Sequence, residues 1–475
     1  MAATFYFHDY ETWGADPKKD RPAQFAGIRT DENFNPIQNV DMWYCQLAPD
    51  YLPHPEAALI TGITPQLCQQ KGLVEVEFMR RILAQFSVAE TCVLGYNNLR
   101  FDDEITRYAL YRNFFDPYAR EWQFGNSRWD LIDVVRACYA LRPEGINWPL
   151  KEDGSPSFRL EDLTKSNGIA HENAHDASAD VYATIAIAKL LKDKQPRLFQ
   201  YLYDLRKKNK VSELIDIAGL TPLVHVSSKF PALQGCCSWI VPLAFHPTNK
   251  NAVICFNLAE DPTMLLEASV ETIREFLYKK NSDLAPHEKR PGLKLVHLNK
   301  SPVLAPAKTL SQERAAELGI DRTQCLRNLE VIKQQRSIQA KIVDVYQQEA
   351  EFSKETNPDY ALYQGFFTDH DRNLMVQMHQ IAPEHLAVTA PIFQDERLNQ
   401  LLFRFRARNY PNTLTYDELQ KWQLYCHDKL TLGDDYPSLR ADEFMLALEN
   451  AVEVHQADTK KVSILQALYK FVAGS

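Results

Sequence analysis

Phe5-Tyr6-Phe7-His8-Asp9-Tyr10-Glu11 opens the chain on an aromatic run and ends it on two carboxylates spaced two residues apart. Such a run reads as a strand, and a strand's period of two sets Asp9 and Glu11 on one face, in line with Phe5 and Phe7. Burying unpaired carboxylates costs on the order of several kcal/mol, so acids that end an apolar stripe are solvated, ion-paired or bound to hard cations. The segment alone leaves all three open.

Two further segments supply acids in order along the chain. Asp102 follows the apolar stretch Thr91-Cys92-Val93-Leu94-Gly95-Tyr96, and residues 103–111 read as the helix it opens. Asp180 begins the helical, mostly apolar segment 180–191, and His175, five residues earlier, is close enough in sequence to approach the same site and accept a proton from water. Each piece also has an ordinary reading: an exposed strand end, a helix N-cap, a surface loop with its cap. The full set, in order, in a region that alternates strand and helix patterns favours a shared site.

These residues resemble the DnaQ-like exonucleases with an Asp-Glu-Asp-Asp core and a catalytic histidine. Asp9 and Glu11 are similar to that family's first motif, Asp102 at the end of 95–102 to its second, and His175 with Asp180 to its third. Longer stretches, among them residues 20–26, 140–149 and 156–161, are similar to its exonuclease I branch over nearly the whole chain. The resemblance implies an α/β RNase H-like exonuclease domain at 1–195, an SH3-like β-barrel domain with helices at 196–349 and an all-α C-terminal domain at 350–475. It implies 3′-5′ hydrolysis of single-stranded DNA to 5′-mononucleotides in DNA repair and recombination. Asp9, Glu11, Asp102 and Asp180 are then the ligands of two Mg²⁺ ions, for which Mn²⁺ can substitute, and His175 is the general base. Hard oxygen ligands suit magnesium, and no Cys or His cluster offers a zinc site.

The resemblance also nominates residues that touch DNA. Glu11, Thr12, Phe101 and Ile63, the last in an apolar wedge at Thr61-Gly62-Ile63-Thr64, surround the terminal nucleotide. Tyr118 and Trp122 are candidates for base stacking, although a Trp more often fills a core, while Arg107, Arg136 and Arg159 have the guanidinium geometry that binds phosphate. A formal net charge of −9 argues against binding by bulk attraction, but residues 192–210 hold seven basic and two acidic side chains together with Phe199, Tyr201 and Tyr203, the composition of a backbone-tracking groove. Lys208 in this segment, with Asn251 and Lys294 further on, would continue the path.

The second region contains the β-rich stretches 223–226, 238–241, 252–256 and 293–298, and the third turns helical, with 18 acids and 12 bases from residue 351 onward. Its one basic exception, Arg404, Arg406 and Arg408, reads from its alternate spacing as a local patch rather than one helix face. Members of the resembled family bind the acidic, Phe-ended C-terminal tail of single-stranded DNA-binding protein. Arg142 and Tyr201, with Leu326, Arg327 and Lys333 on an expected helix at 322–333, are the candidate pocket. Composition fits a globular protein, the chain has no apolar run of membrane-spanning length, and its nine cysteines lack metal or redox spacing, so a cytoplasmic location with reduced thiols is expected. A monomer is the expected state. The same five catalytic residues would serve an exoribonuclease, and a non-catalytic single-strand-binding scaffold would not need them all.

Overall fold

The computed structural model describes residues 3–171, 176–286, 288–347, 355–432 and 439–473. The chain divides into two compact units, one formed by Met1–Ser127, His171–Ile185 and Ser353–Ser475, the other by Arg128–Ala170 and Ala186–Phe352.

The first unit is built on strands β1 (Thr4–Thr12), β2 (Pro22–Thr30), β3 (Asp41–Tyr44) and β4 (Thr91–Gly95), in the order β3-β2-β1-β4. β1 pairs antiparallel with β2, setting Asp9 opposite Ala26, and parallel with β4, setting Phe7 opposite Leu94. The strand's alternation holds along its length. Tyr6, His8 and Tyr10 face a core with Phe25, Phe78 and Phe86, whereas Phe5 and Phe7 pack on Phe34 from the other side. Burial there pushes the His8 imidazole down to about 3, against the pull of Asp103, so it is a neutral core residue.

Two helices deliver the remaining acids. The helix Asp102–Arg112 begins where the Asn98 carbonyl accepts the Asp103 N–H at 2.9 Å, and three acids in its first turn favour the positive end of the helix dipole. The other runs over Ala177–Lys194 and so starts three residues before the expected position. The reason is Asp176, whose carboxylate accepts the N–H groups of Ser178 at 3.0 Å and Ala179 at 3.3 Å, a cap the helical composition does not reveal.

The C-terminal helices belong to this same unit. Phe444, Leu448, Ile464 and Leu468 bury against Trp13, Tyr51, Ala58 and Ile63, while Leu362, Leu398 and Phe405 close over Val76, Tyr111 and Phe114. Charges are buried along with them. Arg408 donates to Asp50 at 2.7 Å and to Asp359 at 2.6 Å, Lys429 to Asp50 at 2.7 Å, and Arg404 to Asp359 at 2.7 Å. This corrects the reading of the three arginines as a local basic patch. All lie on the helix Glu396–Asn409, where the spacing of four puts Arg404 and Arg408 on one face towards Asp359, and Arg406 pairs instead with Glu418.

The second unit holds an antiparallel sheet of five strands, β6 (Leu223–Val226), β7 (Cys237–Phe245), β8 (Ala252–Asn257), β9 (Leu293–His297) and β10 (Val303–Pro306), following the short β5 (Ser127–Asp130) in the chain. Their order is β10-β6-β7-β8-β9, so the four β-rich stretches of the sequence form adjacent strands and β10 adds an edge. The expected helix at 322–333 is present as Arg322–Gln334.

Breaking a buried ion pair costs about 3–5 kcal/mol because the partner charge stays behind. Asp50→Ala, which leaves Arg408 and Lys429 sharing one fewer carboxylate, should lose that much in denaturant unfolding; wild-type stability would contradict the network. Glu75 supplies a pH signature. Burial raises its pKa, but Arg112 and Arg21 outweigh this and hold it at about 2 instead of 4.5. A depressed carboxylate contributes fully above its unfolded value and loses that contribution as pH falls. Roughly 3 kcal/mol should therefore disappear between about pH 4.5 and 2. The acid limb of a thermal-melt series should be shallower in Glu75→Gln.

Candidate active site

Asp9, Glu11 and Asp180 each present a carboxylate oxygen, and these oxygens lie within 4.8 Å of one another. Asp102 is held beside them: its Oδ1 accepts the Tyr10 N–H, between the two strand acids, at 3.1 Å. The strand end and the two helix starts thus converge as their acids require. The site is costly electrostatically. Burial, then Asp102, Glu11 and Asp180, drives the Asp9 carboxyl well above the usual range, and burial with Asp180, Asp102 and Asp176 pushes Glu11 up to about 9. A half-buried, all-carboxylate set that repels itself fits a hard divalent cation.

His175 lies outside the described residues. A second histidine that the sequence reading passed over stands in the site: His171 Nε2 is 2.6 Å from Asp180 Oδ1, with its side chain buried. Its sequence cue was slight, a second histidine four positions before His175 in a turn-like stretch. An imidazole bonded to a metal-binding carboxylate orients that carboxylate.

A cleft of about 1000 Å³ opens beside Glu11, which lines it together with Thr12, Phe101, Ile60 and Thr61. Ile63 is instead 4% exposed, packed in the core with Trp13 and Ala58; the exposed apolar side chain is Ile60, just before that segment. Trp122 stands 66% exposed, contrary to the usual fate of a tryptophan. Arg107 is buried, with donors directed to Glu121 at 2.8 and 3.0 Å and to Glu104 at 2.6 Å, and its guanidinium lies over the Tyr118 ring.

The second unit brings other candidates together. Lys208 Nζ donates to Asn251 at 2.6 Å, and Lys294 Nζ to Ser227 at 3.1 Å above the Phe230 ring. Arg136 pairs with Asp133 at 2.8 Å, and Arg159 is exposed at the start of the helix Leu160–Ser166. Of the aromatics in the basic segment, Phe199 is buried against Trp129 and Tyr203 packs there too beneath Arg206, so these rings hold the segment to the unit. Tyr201 donates to the Leu304 carbonyl at 2.9 Å, and Arg142 to that of Thr309 at 3.2 Å. Leu326 is 48% exposed beside Arg327, which bonds Gln324, and Lys333 pairs with Glu330 at 3.2 Å.

An acidic strand end and two acidic helix starts on a mixed sheet define a metal-dependent nuclease of the exonuclease class, and residues 6–188 match the family model for that class, described as Exonuclease. Residues 206–348 match the Exonuclease I SH3-like domain and residues 356–475 the Exonuclease I C-terminal domain. The chain is 52% identical to exodeoxyribonuclease I of Escherichia coli, covering 99% of this chain and 97% of that one, and 50% identical to the Haemophilus influenzae enzyme, covering 98% of each. It belongs to the exodeoxyribonuclease I family.

Among solved structures, E. coli exonuclease I with a dA16 oligonucleotide superposes at a TM-score of 0.95 with 51% identity, covering 99% of both chains. A zinc-bound complex of the E. coli enzyme with single-stranded DNA matches at 0.94 and 50%, covering 100% of this chain and 99% of that one. A structure of SSB with exonuclease I and an inhibitor matches at 0.91 and 49%, covering 100% of both. The zinc form qualifies the argument that lack of a Cys or His cluster disfavours zinc: zinc also accepts carboxylate oxygens, and His171 stands next to Asp180. The family uses a divalent metal.

Relieving the self-repulsion should be measurable without activity. In chelator, Asp9→Asn should melt higher than wild type, by about 1–2 °C for each kcal/mol relieved. On adding Mn²⁺ it should lose the rise that a bound cation gives the wild type. A variant that melts lower in chelator yet keeps the metal-induced rise would remove Asp9 from the metal set.

Proposed function

We infer that this chain is a 3′-5′ exodeoxyribonuclease that hydrolyses single-stranded DNA to 5′-mononucleotides in repair and recombination. The observation that carries the inference is the convergence of Asp9, Glu11, Asp102 and Asp180, within a chain whose relatives at half identity are exodeoxyribonucleases. Asp9, Glu11, Asp102 and Asp180 would hold two Mg²⁺ ions, or Mn²⁺ in their place, which when bound supply the positive charge that activates a water and stabilises the leaving 3′-oxygen. Tyr10 fixes Asp102 through its N–H, and His171 fixes Asp180. His175 takes the proton of the attacking water, and the P–O3′ bond breaks to free the terminal nucleotide. Thr12 and Phe101, beside Glu11 in the cleft, would touch that nucleotide.

The substrate is a strand with a free 3′ end, and Lys208, Asn251, Lys294, Arg136 and Arg159 are the candidate backbone contacts. The Lys208–Asn251 bond supports treating these two as one contact. The enzyme would work as a monomer in the bacterial cytoplasm, where the free cysteines stay reduced; among the described residues no helix is long and apolar enough to cross a membrane. Single-stranded DNA-binding protein would be its partner, its acidic tail meeting Arg142, Tyr201, Leu326, Arg327 and Lys333. The SSB-bound relative and the exposed Leu326 support this reading.

Digestion of matched single-stranded DNA, duplex DNA and RNA, each with Mg²⁺ and with chelator, should release mononucleotides from the first alone and only with metal; equal release from RNA would overturn the DNA reading. His175→Ala should lower turnover by roughly 10²–10⁴ and leave metal affinity unchanged. A parallel loss of metal binding would make His175 a ligand. A tail peptide titrated with and without its terminal Phe should bind only with it, and less tightly to Lys333→Ala; equal weak binding of both peptides would rule the pocket out.

A further inference from the structure

One wall of the cleft comes from the C-terminal helix Ala441–His455. Its residues Ala447, Asn450, Ala451, Val454 and His455 line the cleft, and their spacing of three, four, seven and eight places them on one helical face. Phe444 and Leu448 lie a turn apart on the buried side, in one core with Trp13, Ala58 and Ile63, so packing fixes this face relative to the strand end. The two alanines leave it hollow. Val454, 74% exposed, and Ile60, 51% exposed, give the hollow apolar surfaces, and Asn450 and His455 give it polar tips.

Charge decides what can enter. Glu11, Asp16, Asp20 and Glu56 line the cleft, and none of its described lining residues is a lysine or arginine. A backbone phosphate is repelled there, whereas an uncharged base and sugar are not. The cleft is continuous with Glu11 and Thr12, where the scissile phosphate must lie. Its volume of about 1000 Å³ is ample for a nucleoside.

We propose that the helix Ala441–His455 receives the base of the 3′-terminal nucleotide, with Asn450 and His455 bonding its edge. This rests on the nuclease reading above. The Asn450 amide both donates and accepts, and so serves any of the four bases, as an enzyme that removes every nucleotide in turn requires.

The test uses the full-length protein and an oligothymidylate carrying 2-aminopurine at its 3′ terminus or ten residues inward, with binding followed by fluorescence in chelator. Wild type should change the emission of the terminal probe, and the double variant Asn450→Ala, His455→Ala should lose most of that change while the internal probe responds as before. With Mg²⁺ the variant's KM for short oligonucleotides should rise about tenfold, as expected for two lost neutral hydrogen bonds, with kcat little altered. Ala447→Phe, which fills the hollow without removing a polar group, should act in the same direction. An unchanged terminal probe and KM in both variants, with wild type cleaving normally, would overturn this assignment alone. A wild-type protein that releases no nucleotide would overturn the nuclease reading and this inference together.

Discussion

Mutual repulsion among four converging carboxylates, Glu11 and Asp102 buried and Asp9 and Asp180 partly so, is the constraint around which the first unit is organised. Burial and neighbouring negative charge drive Asp9 and Glu11 far above their ordinary titration range. The fold must force these groups together and leave their neutralisation to a cation. It does so with rigid elements: a central strand paired on both sides, and two helix starts fixed by the Asn98 carbonyl and the Asp176 carboxylate. Sites on such elements hold their geometry better than sites on loops.

The C-terminal helices share in this rigidity. Their apolar residues complete two cores begun by the nuclease segment, and Arg408 and Lys429 bring Asp50 into a dry ion-pair network. Burial and the acids act oppositely on Lys429, and burial prevails, lowering it to about 8. A network of this kind adds little net stability over apolar packing but is costly to break. Next along the chain to Asp50 and Lys429, Tyr51 and Leu430 pack in the apolar core that seats the helical wall of the cleft.

The sequence carried the strand's two-faced pattern, the order of the four acids and the β-rich stretches of the second unit, because period and composition are local signals. It did not carry what depends on three-dimensional partners. Arg107, Arg404 and Arg408 look alike as candidate cations, yet all three are held by acids, Arg107 by Glu104 on its own helix and by Glu121, Arg404 and Arg408 by Asp359 from a separate segment. Ile60 and Ile63 are both apolar residues near one turn, and only packing against Trp13 decides which is buried. His171 was hidden by the nearer claim of His175. The start of the helix Ala177–Lys194 shifted because the cap, Asp176, lay among residues read as loop.

The most direct test of the central claim is anomalous diffraction from crystals of the protein with Mn²⁺ and a phosphorothioate-terminated single strand. The account predicts manganese peaks in contact with Asp9, Glu11, Asp102 and Asp180, with the last phosphate of the 3′ end beside them. Manganese bound elsewhere, or a 3′ end that lies away from these four carboxylates, would contradict it.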